Sequence, residues 1–325
     1  MNYAITDDTL GALKSYRNDP KQKLNWSTVF VLPEWMETWW RSFGAGIEMK
    51  IRSVHDGEDV VGIAPLMVRD EVAGLIGSTD VCDYLDFIVA PGREADFCDA
   101  ILDDVKVNGI KQLDLKHVRP DSVVMTYLAP LAESRGYNVL KTREDVSLEM
   151  ELPATFDEYL ESLSTKQRHE VRRKLRRLNE AGDIVFKIVS DNAGLPAAIE
   201  VFFKMFVESR QDKASFLTPA MESFFRSIVG TTGRLGLLKL GVLELDGRPL
   251  AEIMCFDYAG CLYLYNSGYD PDYVSLSAGL LSKVLAIKDS IEKGKRRFDF
   301  LKGAEVYKSH LGGHEIPLYQ CRITI

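Results

Sequence analysis

The sequence predicts an α/β (α+β) chain of two domains, each a mixed twisted sheet flanked by helices. Three observations carry this. The 325 residues suit about two domains. Both halves contain strands joined at tight turns, among them Asp56-Gly57, Asp246-Gly247 and Ala259-Gly260, with helical segments between them. Each half also closes with a late strand–helix–strand step, which argues for a mixed sheet in each. The boundary is placed at Pro153, giving domains 1–153 and 154–325.

In the first half, Pro33 opens a helix over 33–43, with Trp35, Trp39 and Phe43 on one face and Trp40 beside them, a face suited to a core. Strands follow over 48–54 and 59–69, and the sheet continues through 71–79. The run 85–90 reads as a strand stopped by Pro91-Gly92. A helix over 93–107, a strand over 112–115, a helix over 123–135 capped at Gly136 and a strand over 146–151 complete the half.

The second half begins with helices over 155–163 and 164–180, then Gly182 and a strand over 184–189. Helices are predicted over 194–210 and 218–229, and strands over 235–245, 249–257 and 261–267. A helix over 276–293 stops at Gly294, and a last strand spans 297–301.

Composition narrows the class. Hydrophobic residues make up 46% and charged residues 27%, which is ordinary for a globular chain. A net charge of -8 argues against a protein living on nucleic acid. The five cysteines are scattered without a CxxC pair, so neither a disulfide framework nor a metal site is predicted, and free thiols in a cytoplasmic protein are. The first twenty residues lack the pattern of a signal peptide, and no apolar run is long enough for a membrane span.

Two segments carry chemistry. In 265–294, an apolar strand ends at Asn266-Ser267-Gly268, a polar loop follows, and a helix opens at Ser277-Ala278-Gly279. Small residues at a helix start leave backbone N–H groups approachable, and with the helix dipole they suit an anion such as a pyrophosphate; by itself the segment reads more readily as an ordinary capped helix. The apolar stripe Leu280, Leu281, Val284 and Ile287 lays that helix on the sheet. The second segment, 296–313, reads RRFDFLKGAEVYKSHLGG.

These segments resemble the CelD-like and FemAB-like acetyltransferases of the GNAT superfamily. The resemblance rests on Phe298, Asp299, Phe300, Leu301, Gly303, Tyr307 and Lys308 at the family's distance after Gly279, and extends to 162–189 and 81–92. The strict GNAT phosphate-loop pattern, Q/R-x-x-G-x-G/A, is absent. The resemblance implies two GNAT-like (acyl-CoA N-acyltransferase) domains with a cleft between them, the second holding the donor. The implied reaction moves an acyl group from acyl-CoA as co-substrate, without a metal, to an amine or hydroxyl of a small acceptor such as a sugar or envelope precursor. Aminoacyl-tRNA is the alternative donor, and a non-catalytic acyl-CoA or sugar-nucleotide binding protein is a different class. An RNA-binding module is a third.

Such a site must orient the acceptor, remove a proton and stabilise an oxyanion. Asp83 and Asp86, flanking a predicted strand end, are base candidates, with His117, Glu252 and Asp257 behind them. Each aspartate is equally suited to a turn or cap. Tyr307 is a candidate acid. Asn266, Gly268, Ser277, Ala278, Gly279 and Lys308 are assigned to the donor, and Tyr84, Arg168, Arg172 and Arg210 to the acceptor side. Lys166 to Arg177 carries seven Lys or Arg and one acid, Glu170, with Arg168, Arg172 and Arg176 on one face and an apolar stripe of Val171, Leu175 and Leu178. In an acidic chain that stripe reads equally as a solvated helix face or as a local anion trap for a phosphorylated acceptor, CoA or tRNA. It lacks interleaved aromatics, and no long coiled-coil insertion is present; both favour CoA over tRNA.

Overall fold

The computed structural model describes residues 3–191, 193–209 and 215–325. The chain divides into two compact units, Met1–Val146 with Ile316–Ile325, and Ser147–Glu315.

The first unit opens with β1 (Ala4–Asp8) and α1 (Leu10–Asn18), which the sequence pattern did not predict. Thr9 caps α1 by accepting from the Ala12 N–H. Helix α2 (Pro33–Phe43) follows, with Trp35 and Trp39 buried as predicted. The hairpin β2 (Glu48–Asp56) and β3 (Asp59–Arg69) turns at Asp56↔Asp59. Next come β4 (Val72–Leu75), β5 (Ile88–Val89), α3 (Glu94–Val107), β6 (Gln112–Val118), α4 (Ala129–Ser134) and β7 (Asn138–Glu151).

Three predicted strands change most in length. β4 stops at Leu75 rather than 79, because Gly77 has φ +145 and leaves extended geometry. The 85–90 strand shrinks to two residues, since the side chain of Asp86 is drawn to the chain at 123–124. β7 starts eight residues earlier than expected, in an exposed charged stretch that carries no burial pattern.

The strands of this unit run in the order β1-β2-β3-β4-β6-β13, with β5 on β3. β13 (His314–Thr324) is the last strand of the chain. It pairs antiparallel with β6, Cys321 opposite Leu115 and Ile323 opposite Leu113. Residues 316–325 therefore belong to the first unit, whereas the sequence reading kept them in the second domain. The pairing is long-range, and Pro317 interrupts its apolar alternation, so nothing local announces it. Between helix α3 and the sheet, Arg52 and Asp104 form two hydrogen bonds of 2.7 Å each.

The second unit begins with α5 (Phe156–Ser162), opened by a capping box between Thr155 and Glu158. α6 (Thr165–Asn179) is capped by Ser164. β8 (Ile184–Val189), α7 (Leu195–Ser209), α8 (Pro219–Arg234), β9 (Leu238–Leu245), β10 (Arg248–Tyr258), β11 (Cys261–Tyr269), α9 (Ala278–Glu292), β12 (Arg297–Lys302) and α10 (Val306–His310) follow. The strand order is β7-β12-β11-β10-β9-β8. All pairs are antiparallel except β11 with β12.

Helices α7 and α9 cover opposite faces of this sheet. Gly268 points at α7, where an added Cβ would lie 2.5 Å from the Phe206 N and 2.6 Å from the Met205 C. The adjacent Ser267 points at α9, from which Lys283 reaches it. α5 and α6 pack on α9, and α6 also packs on the 271–276 segment before it. Val171 and Leu178 of α6 are buried, and Leu175 is half-buried. Among the described residues no helix is long and apolar enough to cross a membrane. The five cysteines are free and buried.

Candidate active site

The second unit has a break in its sheet. The parallel ladder of β11 and β12 has three rungs, Cys261↔Arg297, Leu262↔Phe298 and Tyr263↔Asp299. At that point β11 carries a bulge: Met254 faces Asn266 and Cys255 faces Leu264, so Tyr265 is the extra residue. β12 bends as well, with Leu301 at φ +59 and its N–H held by Asp299 Oδ1 at 2.8 Å. From Leu264 onward the two strands diverge, and the edge of β11 facing β12 has no ladder partner in the described residues.

The chain then leads through 271–276 into α9. Ser277 has φ +58, a left-handed conformation that turns the chain sharply into the helix. Its carbonyl accepts from Leu280 and Leu281, each at 3.0 Å. The N–H groups of Ala278 and Gly279 meet no acceptor among the described residues. These are the open donors predicted from the small residues. Gly279 has a packing task too, since an added Cβ would lie 2.9 Å from the Tyr269 ring.

Lys283, one turn into α9, was not singled out by sequence reasoning. It is 6% exposed, and its Nζ donates to Ser267 Oγ at 3.1 Å and to Gly279 O at 2.6 Å. The same ammonium lies 5.2 Å from the centre of the Tyr307 ring. A lysine next to Leu281 and Val284 in an apolar helix was the available signal. Its position near the helix start adds positive charge at the positive end of the dipole.

The donor-side residues separate in the structure. Asn266 lies half-buried at the bulge, and its amide makes no hydrogen bond among the described residues. Gly268 is corrected: it faces α7 and serves close packing. Lys308 is corrected as well. It is 2% exposed, and its three donors are engaged by Leu301 O at 3.0 Å, Lys302 O at 2.5 Å and Glu305 at 2.9 Å. It ties down the turn after β12, in which Gly303 takes φ +107. Tyr307 is half-buried, its ring edge-on to Phe300 at 6.5 Å.

The first-unit candidates have structural partners. Asp86 accepts from the N–H groups of Phe87 at 2.9 Å, Val123 at 2.9 Å and Val124 at 3.3 Å, so it caps the helical segment ahead of α4. Loss of solvent pushes its carboxyl up to about 7 against the pull of those three N–H groups. Asp83 is buried in the loop before it. Tyr84, assigned to the acceptor, is 3% exposed, packed under Arg119 at 5.1 Å and edge-on to Phe30. His117 is buried, with Nδ1 3.1 Å from Cys82 O, and holds this loop to β6.

Elsewhere in the second unit, Asp257 is paired with Lys295 at 2.6 Å. Glu252 on β10 is 1% exposed, and its Oε2 has no hydrogen-bond partner. It stands opposite Gly268 on the α7 face. Burial pushes its carboxyl up to about 8; Glu244 adds to the rise and Lys187 opposes it. On α6, Arg168 is half-buried and Arg172 exposed, and neither forms an ion pair among the described residues. Arg176 faces Glu180 at 3.8 Å. Arg210 lies outside the described residues. No group of three or more His, Cys, Asp or Glu that could hold a metal ion occurs among them.

Residues 165–309 match the family model for the acetyltransferase (GNAT) domain. No curated protein matches the chain. Among solved structures, FemX superimposes with TM-score 0.66 at 13% identity, covering 98% of this chain and 96% of its own. A conserved protein of unknown function from Bacteroides thetaiotaomicron gives 0.60 at 8% identity over the whole of both chains. L-PGS from Bacillus licheniformis gives 0.54 at 10% identity over 89% of this chain and 90% of its own. At these identities the likeness is one of fold.

Proposed function

We propose, because the second unit is a GNAT acetyltransferase-type domain and the chain has the fold of FemX, that this protein transfers an acyl group from acyl-CoA to an amine or hydroxyl of a small acceptor of sugar or envelope-precursor type. Acetyl-CoA is the first donor to test. The observation that carries this reading is the divergence of β11 from β12 at the Tyr265 bulge, followed directly by the open N–H groups of α9.

Each part suits the donor's chemistry. The N–H groups of Ala278 and Gly279 supply donors for a phosphate at a positive dipole end. The part of β11 beyond its ladder with β12 is assigned to an amide-bearing arm, and one backbone N–H there to the oxyanion. Asn266 orients the acyl end. Lys283 adds positive charge to the opening. Tyr307 is assigned to protonate the departing thiolate. Asp86, whose oxygens accept from three backbone N–H groups, is not carried forward as a base. Five free cysteines accord with a cytoplasmic setting.

The test is release of free thiol from acetyl-CoA over a panel of amines and amino sugars, alongside thermal stabilisation by CoA. Acceptor-dependent release with CoA stabilisation supports the reading, and absence of both overturns it. A second reading, transfer from aminoacyl-tRNA, is favoured by α6, whose Arg168 and Arg172, without an ion-pair partner among the described residues, lie on a helix packed against the 271–276 segment. That reading predicts tRNA binding that weakens steeply with salt, and no stabilisation by CoA.

A further inference from the structure

The first unit has an open cavity of about 460 Å³ where its own parallel strands part. β4 and β6 share the rungs Val72↔Gln112 and Ala73↔Leu113. Gly74 still lies close to β6, where an added Cβ would sit 3.3 Å from Asp114 O. Beyond it β4 ends at Leu75 and the chain leaves through Gly77 and Ser78, while β6 runs on beside β13. The cavity fills the space between, within the size range of small-molecule sites.

Its wall and its mouth differ in chemistry. Met67, Leu75 and Leu85 supply apolar wall. Arg69 and Lys116 stand at the mouth, both exposed, and neither forms an ion pair among the described residues. The acid on the wall, Asp114, is already held by Gln320 Nε2 at 2.5 Å and faces Arg322 Nε at 3.9 Å. Asp70 is the remaining acid at the mouth. The free charge there is thus positive on balance. No helix opens directly after β4, so a pyrophosphate has no cradle of the kind α9 provides.

We propose that this cavity is a binding site for a small anionic amphiphile, an apolar chain or ring ending in one carboxylate or phosphate. The apolar part lies between β4 and β6 against Met67 and Leu85, and the anionic end meets Lys116 and Arg69. This site does not depend on acyl transfer by the second unit. It has a built-in reporter: the Trp39 indole N–H donates to the Ser78 Oγ on the cavity wall at 3.1 Å.

The experiment titrates the full chain, below micelle-forming concentrations, with decanoate, decyl phosphate, decanol and decyltrimethylammonium, followed by calorimetry and tryptophan fluorescence. The expected result is one-to-one binding of an anionic probe at least tenfold tighter than decanol, with the cation weakest. Decanoate against decyl phosphate tells carboxylate from phosphate. Replacing both exposed cations, Arg69→Gln with Lys116→Gln, is expected to bring the anion down to the level of decanol. Filling the cavity by Met67→Trp is expected to abolish binding of all four. Absence of saturable binding, equal binding of decanol and decanoate, or an anion preference that survives the double charge substitution would overturn the proposal; the last holds even if Met67→Trp fails to fold.

Discussion

The Nζ of Lys283 and the Oγ of Ser267 are 3.1 Å apart, joining α9 to β11 just beyond the point where β11 leaves β12. The ammonium is almost fully buried, close to a helix start that already carries positive partial charge. Such an arrangement favours an anion. Lys283→Met keeps the apolar stem and removes the charge. It is expected to weaken CoA binding at least tenfold by calorimetry while the urea midpoint moves little. Unchanged CoA affinity would give Lys283 a purely structural role.

Glu252 links pH to stability. Its carboxyl is held near 8 in the folded chain and near 4.5 unfolded, so between those values the folded state keeps a proton that the unfolded state has lost. Stability from this group is full below about pH 4.5 and falls as pH rises toward 8. Glu252→Gln removes that loss. The variant should match the parent near pH 5 and exceed it near pH 9 by roughly 3 kcal/mol or more in urea unfolding. Parallel pH profiles for the two proteins would refute this.

Gly268 carries no side chain because the backbone of α7 occupies the space. A Cβ there would sit 2.5 Å from the Phe206 N. Backbone cannot rotate away as a side chain can, so Gly268→Ala must push α7 off the sheet. The expected cost is about 2 kcal/mol or more, of the order seen for overpacking, read as a lowered unfolding midpoint. Full stability of the variant would show that α7 moves freely.

Asp86 caps a helical segment through three backbone donors. Asp86→Ala is expected to cost about 1–2 kcal/mol, as for loss of an N-cap. Asp86→Asn keeps an acceptor oxygen and should recover much of that. If Asp86→Asn instead abolished thiol release at unchanged stability, the aspartate would be chemical and not structural.

The local parts of the site were readable from residue order. The small residues at 277–279, the bulky apolar strand before them and the capped helix after them all signal an opening of α9, and the open N–H groups are there. The same logic failed for side chains whose partners the residue order does not display. Lys308 reads as a free cation in the run YKSHLGG, yet three oxygens from the turn after β12 surround it. Gly268 reads as room for a ligand, yet that room holds α7. For Asp86 a cleft-facing carboxylate and a cap were both open in the sequence; the structure shows the cap, with partners at 123 and 124 that lie far along the chain.

Residue order by itself determined the elements whose cause is local: the helices with their caps, the hairpins at Asp-Gly, and the paired halves of mixed sheet and helix. Propensity, periodicity and turn chemistry act over a few residues, and a single chain displays them directly. Only the tertiary structure decided that β13 returns to β6, that β4 and β6 part around a cavity, and that Lys283 is drawn under the edge of β11. Those outcomes depend on pairings between distant segments and on which polar groups are left without water, and neither quantity is carried by any short stretch of sequence.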